Sequence, residues 1–189
     1  MITKRLLSMV VLCMLAFGAS PTWADEYQDA INIFKKADAS GKFFATSQGY
    51  AVFPTIAKGG MGVGGAYGKG KVFEKGKYIG DTSMTQLSVG LQLGAQGFSQ
   101  IIFFQNADAL SKFTKGEFEL GAEASAVAIT LAAGAKAGTT GATAGASVDK
   151  TKAKNVGTYN NGMAIFTVVK GGLMYEATIA GQKFKSTRR

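Results

Sequence analysis

The sequence predicts an α+β domain: a curved antiparallel β-sheet or barrel of Gly- and Ala-rich strands, with an N-terminal amphipathic helix and a second short helix packed on it. Three observations carry this. Apolar residues recur at alternate positions through most of the chain, the period of half-buried strands. Two segments, near residues 25–39 and 107–115, have helical spacing instead. No Pro- or Ser-rich linker divides the chain, which has only two prolines in 189 residues, so one domain is the natural count.

The first helical segment carries Tyr27, Ala30, Ile31, Phe34 and Ala37 on one face. Asp25, Glu26 and Asp29 lie at its start and Lys35 and Lys36 at its end, which suits the helix dipole, and Gly41 is a plausible terminator. Two roles stay open for it. It covers one side of the sheet, or it is a lipid-facing element with Lys35, Lys36 and Lys42 at its basic end.

From Lys58 to Val72 the chain packs seven glycines into fifteen residues. Their alternation with Met61 and Val63 reads as a strand with one face nearly stripped of side chains, open to close approach by another backbone, a helix or a ligand. Leu87, Val89, Leu91 and Leu93 alternate with Ser88, Gly90, Gln92 and Gly94, which predicts a half-buried strand. The continuous apolar run Ile101 to Phe104 predicts a central one. Asn106 is placed to cap a helix from Ala107 to Lys115, with Ala109, Leu110 and Phe113 as its buried stripe and Gly116 as its stop.

Phe118, Leu120, Ala122 and Ala124 then oppose Glu117, Glu119, Gly121 and Glu123 across a further strand. The Ala-rich region 121–147 reads as two Ala-faced strands, through Ala122 to Ala128 and Ala142 to Val148, joined near Lys136 to Gly141 by a mobile tip. Met163 to Val169 and Leu173 to Ile179 flank Lys170-Gly171-Gly172, a hairpin pattern. Lys183, Lys185, Arg188 and Arg189 read as a solvated tail.

The N-terminus sets the expected compartment. Lys4 and Arg5 precede an apolar run from Leu6 to Ala19, and Thr22-Trp23-Ala24 offers a cleavage site before Asp25. Residues 1–24 are therefore expected to be a cleaved signal peptide, and residues 25–189 one exported domain in the periplasm or cell envelope. The apolar run is too short to span a bilayer. The lone Cys13 lies inside it without the small residues that lipidation wants before the Cys. The remaining chain has neither Cys nor His, and loss of Lys4 and Arg5 lowers the net charge from +9 to +7.

That composition excludes much chemistry. Without Cys or His, the exported chain lacks the usual ligands for Zn, Cu or Fe–S sites and the bases of common nucleophile systems. Gly60-x-Gly62-x-x-Gly65 matches a dinucleotide fingerprint, with Asp81 at a suitable distance. However, strand-like sequence follows where a helix must open. Gly68-Lys69 fails as a phosphate loop because Gly70 stands where Ser or Thr is needed and Val63 where the first Gly belongs. Glu117, Glu119 and Glu123 would share a strand face, which suits a solvated edge better than paired acid–base work. No enzyme, metal or cofactor is expected.

The basic residues point further. Lys58, Lys69, Lys71, Lys75 and Lys77 crowd the glycine-rich strand and the turn after it, and Phe73 follows Lys69 and Lys71 on the same face. Interleaved Lys and aromatic residues suit an interfacial site on anionic lipid. The same lysines also suit an edge strand protected from aggregation. A basic exported protein meets lipid head groups more readily than nucleic acid.

The blocks Phe53-Pro54, Lys58-Gly59-Gly60 and Gly62-Val63-Gly64-Gly65-Ala66-Tyr67-Gly68-Lys69-Gly70 resemble the opening of the SYLF domain. The resemblance continues through Leu87 to Gln96, Ile101 to Asn106, Ala109 to Phe113 and Phe118 to Ser125, with Tyr159 to Phe166 as the equivalent of a late block. It implies phospholipid binding, notably of phosphoinositides in eukaryotic members, and actin binding in yeast ones. For an exported chain the transferable part is association with anionic phospholipid or a membrane surface. The expected function is thus non-catalytic phospholipid binding in the envelope, through Lys58, Lys69, Lys71, Phe73, Lys75, Lys77, Lys35 and Lys36. The alternative is a structural protein that assembles through its glycine-rich strands.

Overall fold

The computed structural model describes residues 23–61, 63–89, 94–121, 124, 126–129, 143–144, 158–170 and 181–189. Among these run four helices: α1 (Trp23–Lys36), α2 (Asp38–Gly41), α3 (Phe43–Thr46) and α4 (Ala107–Thr114). The strands are β1 (Gly49–Met61), β2 (Val63–Glu74), β3 (Lys77–Val89), β4 (Gly94–Phe104), β5 (Glu117–Glu119), β6 (Ala126–Ile129), β7 (Thr143–Ala144), β8 (Met163–Lys170) and β9 (Lys183–Arg188). All join one sheet in the order β5-β9-β3-β2-β1-β4-β8-β6-β7.

That order forces curvature. β5 stands at one edge and β6 beside the other, yet only residues 120–125 join them. Crossing from β5 to β6 in a flat sheet would take roughly 34 Å at ~4.8 Å per strand. The joining residues reach at most about 25 Å when fully extended. The sheet therefore curls, and the predicted α+β class with a curved sheet is the one observed.

Each face of the curl has its own core. Inside lie Phe53, Ile56, Met84, Ile102, Phe104, Ile165 and Phe184 from strands across the sheet, with Ala109, Leu110 and Phe113 of α4 inserted among them. Outside, Val52, Ile101, Phe103, Phe166 and Val168 pack under Ala30, Ile31 and Phe34 of α1. Ile101 to Phe104 is buried on both faces, as a central strand should be. A bulge in β1 spans Pro54, which lacks the N–H a regular ladder needs. It puts both Phe53 and Ile56 on the inner face, and the Ser99 hydroxyl donates to the Pro54 carbonyl oxygen at 2.6 Å.

The helices follow their sequence signals closely. Asn106 caps α4, its side-chain oxygen accepting from the Ala109 N–H at 2.9 Å. Ala109, Leu110 and Phe113 are its buried residues, and Gly116 takes the left-handed conformation at φ +130° just beyond it. α1 covers the sheet, the first of its two expected roles. It ends at Lys36 rather than Ala39, because the chain turns at Ala37 and re-forms as α2. A Cβ on Gly41 would lie 2.6 Å from the Lys35 carbonyl oxygen, so only Gly fits where that turn folds back.

Five expectations need correction. The glycine-rich stretch is a hairpin, with Gly60 opposite Gly64 and Met61 opposite Val63, so two strands share what reads as one. The sheet is mixed, since β6 runs parallel to β8 across a connection long enough for a crossover. The alternating segment from Glu117 to Ala124 and the Ala-faced strand from Ala122 to Ala128 do not run on as neighbours: β5 (Glu117–Glu119) and β6 (Ala126–Ile129) stand at opposite flanks of the sheet. Leu87, expected on the buried face of a half-buried strand, is 87% exposed, because Met84 and Gln86 take the inner face of β3. The C-terminal tail is β9, fixed by the buried Phe184.

β6 and β7 do pair antiparallel, Ala126 opposite Ala144, as the Ala-faced reading expects. The tip near 136–141 and the second hairpin arm, Leu173 to Ile179, lie outside the described residues.

Tyr50 sits in the outer core, stacked on Phe73 at 5.0 Å and edge-on to Phe44 at 5.1 Å. Burial raises its phenol pKa above the ordinary value of 10.0. A group whose folded pKa is raised contributes stability below its unfolded pKa and loses it as pH climbs through the folded one. Thermal stability is therefore expected to fall above pH ~10. Part of that fall should vanish in Tyr50→Phe, read from melting curves across an alkaline pH series.

Candidate functional site

α1 to α3 cover only part of the outer face. Over β2, β3 and β9 that face is open, and the ladder registers place its residues in rows. Close to the β1–β2 turn, one row contains Gly59, Gly65 and Leu87. Next come Ala57, Tyr67, Thr85, Lys183 and Glu119. The third row holds Lys69, Ser83, Lys185 and Glu117, and the fourth Lys71, Asp81 and Thr187. Tyr67 is 50% exposed, and Lys170 reaches the same face, its ammonium donating to the Thr55 hydroxyl at 2.9 Å.

Two shallow grooves sharing Ser83 and Lys185 run over this surface. One, of about 470 Å³, lies between Tyr27 of α1 and the lysines Lys69, Lys71 and Lys185. The other, of about 420 Å³, continues over Lys183 and Phe118 towards the β5 edge.

The charges are mixed but predominantly positive. Lys183 pairs with Glu119 at 3.6 Å, and Arg189 approaches Asp81 at 4.0 Å, all of them solvated. Such exposed pairs are weak, about 0–1 kcal/mol, and leave the lysines able to exchange partners. The Lys71 ammonium lies 4.5 Å from the Tyr27 ring centre and 5.6 Å from that of Tyr78, which ties the start of α1 to β2. Burial raises the Tyr27 pKa, with Asp81 adding to the shift, so the phenol stays neutral beside that ammonium.

Of the residues singled out from sequence, Lys69 and Lys71 lie on this face. Lys75 and Lys77 flank the β2–β3 turn at the far end of the sheet, Lys75 with φ +48°. Phe73 is stacked on Tyr50 and edge-on to Tyr78, so its ring is engaged in packing. Lys58 shares a register row with the buried Ala66, on the inner side. Lys35 lies in the last turn of α1 with its ammonium 5.5 Å from the Phe44 ring centre, and Lys36 is exposed beside it.

The eight thus do not form one patch. Glu117 and Glu119 are exposed, each opposite a lysine, and Glu123 lies outside the described residues. Lys183, Lys185, Tyr67 and Leu87 were missed as site residues. The alternation Lys183-Phe184-Lys185 was the available signal for the first two.

A comparison with curated proteins returned no match. The Ysc84 family model, described as Las17-binding protein actin regulator, matches residues 85–188. That stretch is more than half of the chain. It takes in the last five residues of β3 and every later element, and the glycine-rich opening lies before it. The chain therefore belongs to this family, the one whose domain is the SYLF domain that its sequence blocks resemble.

Proposed function

We propose that the chain is an exported, non-catalytic protein of the cell envelope that binds anionic phospholipid surfaces through the open outer face of β2, β3 and β9. The observation that carries this reading is the gathering of Lys69, Lys71, Lys183 and Lys185 with Tyr67 and Leu87 on one uncovered face. Family membership supports lipid binding as the type of function. The family's description speaks of actin regulation, which an exported chain would not meet. The leader pattern from Lys4 to Ala24 supports export.

Magnitudes decide how such a face would bind. Each Lys near an anionic surface contributes ~1 kcal/mol. Asp81, Glu117 and Glu119 offset part of this, so electrostatics alone supplies only a few kcal/mol. Burying a Leu side chain adds about 1.5–3 kcal/mol. Neither contribution suffices for firm binding, and the two together reach a useful range.

The test is flotation with vesicles of zwitterionic lipid, with and without anionic lipid, across a salt series. Binding is expected only with anionic lipid and should weaken as salt rises. The variant Lys69→Gln/Lys183→Gln/Lys185→Gln should lose affinity by roughly 100-fold, three ~1 kcal/mol contributions. Flotation indifferent to lipid charge, or unchanged in the triple variant, would refute this face as the site. Absence of flotation with any lipid would favour assembly through protein contacts.

A further inference from the structure

The rows of the outer face are ordered, and the order is that of a membrane interface. Leu87 stands close to the β1–β2 turn. Ala57, Tyr67 and Lys183 follow one row further, and Lys69 and Lys185 after that. Lys71 and Asp81 come last. Successive same-face residues of a strand lie roughly 7 Å apart, so Lys183 is one such step from Leu87 and Lys69 and Lys185 are about 13 Å away. The ladder continues past Leu87 to Met61, Val63 and Val89 at the strand ends.

The opposite end of the sheet differs in kind. There stand the β2–β3 turn with Lys75 and Lys77, and Glu74 paired with Arg188 at 3.6 Å. Among the described residues of the outer face, the row of Leu87 is thus uncharged and the far end of the strands carries charge, Lys58 beside that row lying on the inner side.

Resting on the lipid-binding reading above, we infer that the sheet docks end-on. Leu87 would enter the acyl boundary of an anionic leaflet, Tyr67 would sit at head-group level, and Lys183, Lys69 and Lys185 would reach the lipid phosphates. The dimensions agree. A head-group layer is about 5–8 Å thick on each side of the bilayer, which places Lys183 within it when Leu87 is at its inner boundary. The flexible stems of Lys69 and Lys185 extend toward the surface from the next row, as lysines do at interfaces. Lys71 stands about 20 Å from Leu87, beyond the head groups, and is already engaged by Tyr27 and Tyr78. The opposite charge of the leaflet and the apolar-to-cationic order favour a lipid surface over a second copy of the chain.

Leu87 is 87% exposed, so its replacement leaves the core untouched. The chain contains a single tryptophan, Trp23. It precedes the expected cleavage point, so in the exported chain, residues 25–189, Leu87→Trp makes a unique fluorescent reporter. Tyr78→Trp, on the same strand about 30 Å away, makes its control.

With vesicles containing anionic lipid, the Leu87→Trp emission is expected to shift to the blue and to be quenched by brominated acyl chains. The Tyr78→Trp emission should do neither. Leu87→Asn should reduce flotation at least tenfold, while Lys71→Gln should change it less than Lys183→Gln does.

Flotation that persists while the reporter at 87 stays unquenched would overturn end-on docking and leave lipid binding standing. Loss of flotation in every variant and in the parent chain would remove both. A blue shift that grows with protein concentration in the absence of lipid would assign the surface to a second copy instead.

Discussion

Truncating Phe113 to Ala is expected to destabilise the protein by about 3–5 kcal/mol, the range for removing a buried Phe ring. Phe113 is fully buried and its ring centre lies 4.9 Å from that of Phe104, 5.2 Å from Phe184 and 5.6 Å from Phe118. Those three rings come from β4, β9 and β5. α4 thus presses one ring between a central strand and the far flank of the sheet, and that contact helps to hold the curl. Three separate strands anchor the neighbours, so the vacated space should collapse poorly, which places the cost towards the top of the range.

The melting temperature should fall by roughly 6–20 °C, at 2–4 °C per kcal/mol for a chain of this size. Lys112→Ala on the same helix removes only a solvated pair with Asp108, 2.8 Å apart, and should stay within about 0.5 kcal/mol. A loss below about 1 kcal/mol for Phe113→Ala would mean that α4 does not close the inner core.

α4 was legible because every signal for it is local: a cap at Asn106, a stripe three and four residues apart, and a Gly past the end. The strands were legible as strands, but their pairing was not. The period of two continues unbroken from β1 into β2, and glycine recurs in both strands. Nothing in the spacing therefore separates one strand from a hairpin.

β9 was obscured for a different reason. Its single buried ring, Phe184, stands among charged and polar residues, so composition suggested a tail where alternation suggested a strand. The site inherits both problems. Lys69 and Lys71 were visible because they alternate within one strand, whereas Lys183 and Lys185 join them only through the pairing of β9 with β3, Ser83 opposite Lys185. Leu87 was assigned to the core because an alternating Leu series has two possible phases. Only the fold shows that Met84 and Gln86 take the inner one.

Gly70→Ala is expected to cost about 1–3 kcal/mol, the range for overpacking a filled core. Gly70 faces inward, and a Cβ there would come within 2.6 Å and 2.7 Å of the Phe53 ring and 2.9 Å of the Thr82 methyl. Phe53 is itself fully buried and packed on Phe184 at 5.6 Å, so the ring has nowhere to move. Gly65, in the same run, supplies the contrast: its added Cβ would meet only the Gln86 carbonyl oxygen at 3.5 Å, an ordinary contact. Ala in a strand also avoids roughly 0.5–1 kcal/mol of glycine's conformational cost. Gly65→Ala should therefore be neutral or slightly stabilising, although both positions belong to one glycine-rich motif.

Urea midpoints separate the two, and a third variant identifies the cause. If the Phe53 ring is the obstacle, Phe53→Leu should cost less in the Gly70→Ala background than in the parent chain, a non-additivity of at least about 0.5 kcal/mol. Equal effects at Gly65 and Gly70 would mean that the glycines matter for chain flexibility alone. Unequal effects would assign Gly70 a second role. By letting Phe53 lie flat against β2, it keeps that strand close to β1 and holds its neighbours Lys69 and Lys71 on the outer face, in register with Ser83 and Asp81 of β3.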